Sequence, residues 1–192
     1  MPVLDRFFSR FTKSAVWKLA AAFIGVLCLS VTLPAAPSMP EYQVKALFLM
    51  NFLKYVDWPE EEWKETREQP ITIGIVGDDP FKGDLESVVK EKVIDGRMIV
   101  VKHVIEPADA ENCELLFFNK SEGKKWKPQI QAISNLPILT VGEGPSFLTN
   151  GGIISFILKN EKVRLHVNLE ASESANLKIS SRLLKVADVV KK

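Results

Sequence analysis

Apolar positions crowd the stretch from Glu41 to Pro59. Val44, Leu47, Phe48, Phe52 and Tyr55 recur at helical spacing and predict a buried face. Ala46, Leu49, Met50 and Leu53 carry the apolar cover around most of the cylinder, leaving only Gln43, Asn51 and Lys54 as a polar strip after the first turn. Such a helix belongs inside a fold. Pro59 forbids its continuation and pushes Trp58 into an extended conformation, as a plug at the helix end.

Further along, the pattern shortens and alternates. Glu60 to Gln69 is charged and reads as a short surface helix or loop. Pro70 to Val76 is an apolar strand ending at Gly77. Asp79 suits a helix N-cap and Pro80 a first turn, predicting a helix to about Lys92 with Leu85, Val88 and Val89 inward. Asp95-Gly96 marks a turn. Met98–Val104, Glu114–Phe118 and Pro137–Val141 are strands, separated by a short helical connection at 107–112 and a helix over Lys124–Ser134. A helical turn at Pro145–Leu148 lies in the Gly142–Gly152 loop. Ile153–Leu158 and Lys162–Leu169 form a β-hairpin across Lys159-Asn160-Glu161, with Val163, Leu165, Val167 and Leu169 inward. Ala171–Ala175 reads as a helical turn. Ile179–Val190 reads as a last helix, with Ile179, Leu183, Val186 and Val190 on its core face. Strands alternating with helices predict one three-layer α/β domain. Its mixed, mostly parallel sheet would have about six strands, with helices on both faces and a C-terminal β-hairpin plus helix.

The N-terminus is of another kind. Arg6, Arg10, Lys13 and Lys18 precede an uncharged apolar run, Leu19–Leu33, and then Pro34-Ala35-Ala36-Pro37-Ser38. That is the layout of a secretory signal, cleaved after Ser38 or near Ala35, giving residues 1–38 as signal peptide and 39–192 as the exported domain. The run of about 15 residues is short of the ~20 that span a bilayer, which weighs against an uncleaved anchor. Removing the leader's four basic residues and Asp5 from the chain's 25 Lys+Arg and 24 Asp+Glu leaves a formal charge of −2. Nothing in that balance points to nucleic acid or an anionic membrane. Cys113 is the exported part's single cysteine, so no internal disulfide can form and stability must come from packing.

Catalytic patterns are sparse. Asp78 and Asp79 follow a strand, where α/β sheets often place function. A phosphorylation receiver would need a further Asp where Asn119 stands and a Lys where Gly142-Glu143 stands, so helix capping and a tight turn explain the pair better. His103 and His166 have no zinc-like spacing with Cys, Asp or Glu. There is no Gly-x-Ser-x-Gly elbow, and the Gly142–Gly152 loop lacks the Lys-Ser/Thr of a phosphate cradle. The residues therefore nominate no catalytic group, cofactor or metal. Candidates for binding a partner or ligand are Asp78, Asp79 and Phe81 after the first strand, Phe147 in the glycine-rich loop, and the polar residues Asn168 and Arg182. The last two read either as a binding cluster or as local strand-end bonding and snorkelling.

Several motifs stand in order: Tyr42-Gln43-Val44-Lys45-Ala46 with Trp58-Pro59, Val76-Gly77-Asp78-Asp79-Pro80-Phe81, Cys113-Glu114-Leu115-Leu116-Phe117, Gly151-Gly152-Ile153-Ile154-Ser155-Phe156, Val163-Arg164-Leu165-His166-Val167-Asn168 and Ser180-Ser181-Arg182-Leu183-Leu184. Together they resemble the YfiR family of bacterial periplasmic proteins, over about Glu41 to Ala187. The resemblance implies a non-enzymatic periplasmic regulator. Such a protein represses the sensor region of an inner-membrane diguanylate cyclase, so controlling cyclic-di-GMP and biofilm. It is itself sequestered by an OmpA-like outer-membrane lipoprotein, and it is often a homodimer. The alternative is a small-molecule-binding sensor acting with a histidine kinase or transporter. One departure stands out. The family often carries a cysteine where Gly74 stands, able to pair with Cys113, so that bridge is absent here.

Overall fold

The computed structural model describes residues 39–105, 107–110 and 112–190, so the expected signal peptide lies outside the described residues. Residues Met39–Lys192 form one compact unit. It opens with α1 (Glu41–Tyr55). The helix is buried as its pattern predicts, but on a rotated face. Ala46, Leu49, Phe52 and Leu53 are almost wholly enclosed, whereas Leu47 is exposed and Val44, Phe48 and Tyr55 sit on the rim. A cylinder that is apolar nearly all round leaves hydrophobicity unable to choose its azimuth. The choice falls to specific contacts: Phe52 stacks between Phe48 and Phe156, at ring distances of 6.0 Å each, and Lys45 turns inward to an acidic partner described below. The helix stops at β1 (Val56–Asp57). Trp58 then stacks on Trp63 of α2 (Glu60–Glu65), ring centroids 5.4 Å apart.

The next strands are β2 (Ile71–Val76), β3 (Val93–Ile94), β4 (Arg97–Val104), β5 (Leu115–Phe118), β6 (Leu139–Glu143), β7 (Ile154–Lys159), β8 (Lys162–Asn168), β9 (Lys178–Ile179) and β10 (Ala187–Val190). Eight of them form one sheet in the order β10-β8-β7-β6-β5-β2-β4-β3. It is parallel except where β7 meets β8 and β4 meets β3. Every residue of β2 and β5 is buried, as strands covered on both faces require. Ile71, Ile73, Ile75, Leu115, Phe117, Leu139 and Val141 build one core under α1 and α3 (Asp84–Val89). Val76, Leu116 and Phe118 build the other, against α4 (Trp126–Ala132) and α5 (Pro145–Thr149). The three layers and the mostly parallel sheet are those expected. The two added strands, β3 and β10, are short edge pieces.

Two expectations fail locally. The helix after β2 begins at Asp84, not at Pro80: Asp79 Oδ1 accepts from the Phe81 amide at 2.8 Å, closing a tight turn instead of capping a helix. Lys82 and Gly83 then take positive φ (52° and 92°), which delays the helix by four residues. The last helix is a single turn, α7 (Ser181–Leu184), capped by Ser180. Residues 187–190 leave it to pair in parallel with β8, Ala187 beside Leu165 and Val190 beside Asn168. The i, i+3, i+7 spacing of Leu183, Val186 and Val190 imitates a helix. Val189 and Val190 at its end and the otherwise open edge of β8 favour the strand.

Candidate functional site

The chain passes from β4 back across β2 to β5, so the sheet reverses its winding beside the carboxyl ends of β2 and β5. Open α/β sheets bind ligands at such a point. Here the protein's own groups occupy it. The Asn119 side chain donates to the Asp78 carbonyl at 2.6 Å and accepts from the Ser121 amide, and the Asn119 backbone carbonyl takes the Trp126 indole N–H at 3.2 Å. One strand further on, Glu143 ends β6 with its carboxylate buried. It accepts from Lys45 Nζ, from the Tyr42 hydroxyl at 3.1 Å and from the Lys120 amide at 3.4 Å. Lys45, 3% exposed, also pairs with Glu41 and lies 4.4 Å from the Tyr42 ring centre. Burial first, then the neighbouring carboxylate of Glu143, push the Tyr42 phenol up to about 12. The cluster pins the first turns of α1 over the sheet's carboxyl end, with its charges spent on one another.

The nominated residues scatter around this crest. Asp78 is exposed, and Asp79 serves its turn. Phe81 is core, edge-on to Tyr42 and Phe117 at 5.6 and 4.9 Å. Phe147 is core on the opposite face, clasped between Gly142 and Gly152. A Cβ on either glycine would come within 2.4 or 2.1 Å of its ring, so close approach to Phe147 explains those two glycines. Asn168 caps α6 (Leu169–Ser174), accepting from the Ala171 amide at 3.2 Å, and Arg182 is exposed on α7. The structure brings Asp78, Asp79 and Phe81 together and leaves the other three apart.

The amino end of the sheet holds groups that no sequence pattern marked. Arg97, 2% exposed, donates to the carbonyls of Gln69 (2.8 Å) and Pro70 (3.2 Å), pairs with Glu114, and lies 4.6 Å from the Trp63 ring centre. Glu114 Oε2 in turn accepts the Thr72 amide at 2.7 Å. Trp58, Trp63 and Arg97 thus form a stack, in which Trp58 Nε1 and Arg97 Nη1 are enclosed without an acceptor. On one side lies a cleft of about 750 Å³ lined by Trp58, Pro59, Asp95, Asn176 and Lys178. On the other lies one of about 370 Å³ lined by Trp63, Cys113, Leu136, Pro137 and Ile138. Burial raises the Cys113 thiol. A Cβ at Gly74 would stand 3.1 Å from its sulfur, so position 74 is the place from which a second cysteine could reach it. Among the described residues no group of three or more His, Cys, Asp and Glu is placed to hold a metal, and no helix is long and apolar enough to cross a membrane.

Comparison with known proteins agrees with this architecture. A family model described as DUF4154, YfiR/HmsC-like, matches residues 42–188. A crystal structure of a conserved domain protein from Vibrio cholerae O1 biovar eltor superposes with a TM-score of 0.55 at 14% identity. That match covers 80% of this chain and 61% of the other, and it speaks for the fold alone. No curated protein matches.

Proposed function

The chain belongs to the YfiR/HmsC-like family, and from that premise we propose that it is a non-enzymatic periplasmic regulator of an inner-membrane diguanylate cyclase. The family is linked to regulation of such cyclases and is a regulatory domain, not known as a catalytic one. The single observation that carries the reading is the family match over residues 42–188. A basic, apolar and small-residue leader over 1–38 supports export. In this reading the protein binds the cyclase's periplasmic sensor region and represses it, and an OmpA-like outer-membrane lipoprotein relieves the repression by capturing the protein. Deleting the gene while the cyclase stays intact is expected to raise cellular cyclic-di-GMP and biofilm. An unchanged level overturns the proposal.

The large cleft beside Trp58 favours a second reading, a sensor that takes a small ligand and acts with a histidine kinase or transporter. A thermal-shift screen separates the two. A true ligand at 100-fold its Kd adds ~2.7 kcal/mol to stability, and a screen without any shift leaves the regulator alone standing.

A further inference from the structure

The small formal charge of the exported part conceals an uneven distribution. Residues 39–156 carry 13 Lys+Arg against 19 Asp+Glu, whereas residues 157–192 carry 8 against 4. An acidic body is thus joined to a basic end. The fold gathers part of that excess at one corner. Lys159 stands beside Lys162 across the β7–β8 hairpin, and Arg164, two residues on, shares their face. Ala187 pairs beside Leu165, so the turn leading into β10 sets Lys185 and Val186 next to the outer half of the hairpin. All four cations are exposed, and none pairs with a carboxylate among the described residues. Leu158 and Val186 stand among them, 56% and 65% exposed. Acids are few here: Glu161 at the hairpin tip, and Asp188, which His166 meets at 3.4 Å. Basic residues on an open strand edge guard it against pairing. That accounts for Lys162 and Arg164, which lie before β10 begins to cover β8. It does not account for Lys159 on the inner strand, for Lys185 on the turn, or for two large apolar side chains left in water beside them.

We infer that this corner docks on an anionic lipid bilayer. The long stems of lysine and arginine carry their charges to the phosphates while Leu158 and Val186 enter the boundary between headgroups and acyl chains. The corner is convex. Residues 159–162 form the hairpin tip, with Asn160 and Glu161 at positive φ (50° and 59°), and a projecting tip offers no groove to grip an extended acidic segment. A broad surface of negative charge suits it better. The acidic remainder of the domain is repelled by the same surface, so the asymmetry of charge turns this end toward the lipid. The surface rests on charge and exposure, independently of the regulatory reading.

Co-sedimentation with lipid vesicles tests the inference. The protein used is residues 39–192, the compact unit without the leader, whose apolar run would bind lipid by itself. At low ionic strength it is expected to sediment with vesicles of equal parts phosphatidylglycerol and phosphatidylcholine. It is expected to stay in solution with phosphatidylcholine alone, and added salt should release it from the anionic vesicles. Lys159→Glu/Lys162→Glu is expected to weaken binding at least about tenfold, since each cation near an anionic surface contributes about fivefold. Leu158→Ser leaves the charge unchanged and weakens binding about threefold or more. Lys90→Glu/Lys92→Glu makes the same change of charge near the opposite edge of the sheet and keeps the binding. All these positions are exposed, so unchanged far-ultraviolet dichroism and melting temperature serve as the folding control. Absence of binding to the anionic vesicles overturns the inference and leaves the corner to an acidic segment of a protein. Equal loss in the two charge-reversed variants, equal binding to neutral vesicles, or binding indifferent to Leu158→Ser overturns it too.

Discussion

Lys45 shows how a single side chain can be decisive and yet unreadable. A lysine in a sequence defaults to the surface, because an unpaired buried ammonium is prohibitive. Here it is enclosed because Glu41 and Glu143 meet it, and Glu143 lies 98 residues away in the chain. Removing one partner of a buried pair strands the other, so Lys45→Met is expected to cost about 3–5 kcal/mol in urea unfolding. The double variant Lys45→Met/Glu143→Gln should lose less than the sum of the two singles. A loss below about 1 kcal/mol would mean that water screens the pair as it does at a surface. Tyr42 reports on the same cluster through pH. Its phenol holds its proton to about 12 in the folded state, against 10.0 for an unperturbed tyrosine. Up to pH 10 both states keep the proton. Between 10 and 12 only the folded state does, so the unfolded chain is favoured as it releases the proton and stability falls as pH rises through that window. Absorbance titration of Glu143→Gln is expected to move Tyr42 part of the way down, because burial, the larger cause, remains. Arg97 is hidden for the same reason as Lys45: its carboxylate partner and its covering indole, Trp63, come from other elements.

At the scale of elements, apolar runs are legible and short edges are not. The central strands announce themselves by unbroken apolar sequence, and α1 by its apolar cover. Two valines alone do not separate a four-residue edge strand from the tail of a helix, so residues 187–190 become legible through β8, which they pair with. The site candidates divide the same way. Phe81 and Phe147 stand out as unusual residues in loops, but their role is packing, a matter of what faces them across the fold. The azimuth of α1 settles how the helix is used. Phe52 has no exposed surface and Leu47 keeps 36%, so the two faces separate by mutation. Phe52→Ala is expected to lose about 3–5 kcal/mol by denaturant unfolding, and Leu47→Lys to stay within about ±0.5 kcal/mol. A large loss from Leu47→Lys instead would mean that the outer face is covered.

In the whole molecule the beginning and end of the domain are tied together, a relation beyond any local pattern. β1, which ends α1, pairs antiparallel with β9, Val56 beside Ile179 and Asp57 beside Lys178. The Ser180 amide donates to the Tyr55 carbonyl at 2.9 Å. Leu177 and Leu183 then close the same core that α1 roofs. The clasp holds the last turn of α1, and Tyr42 and Lys45 hold its first turns over the sheet's carboxyl end. A chain stopped after Asn176 loses β9, α7 and β10, opening the edge of β8 and the underside of α1 together. Each kcal/mol lost lowers the melting temperature of a domain this size by about 2–4 °C. The buried Leu177 and Leu183 alone, at roughly 2–5 kcal/mol each when deleted, put the shortened protein well below the intact one. Hydrogen exchange gives the sharper reading. If the clasp acts as argued, amides of α1 lose protection in the shortened chain while those of β2 and β5, buried on both faces, keep theirs. Loss confined to β8, with α1 as protected as before, would show that the helix is held by its charged cluster and Phe52 alone.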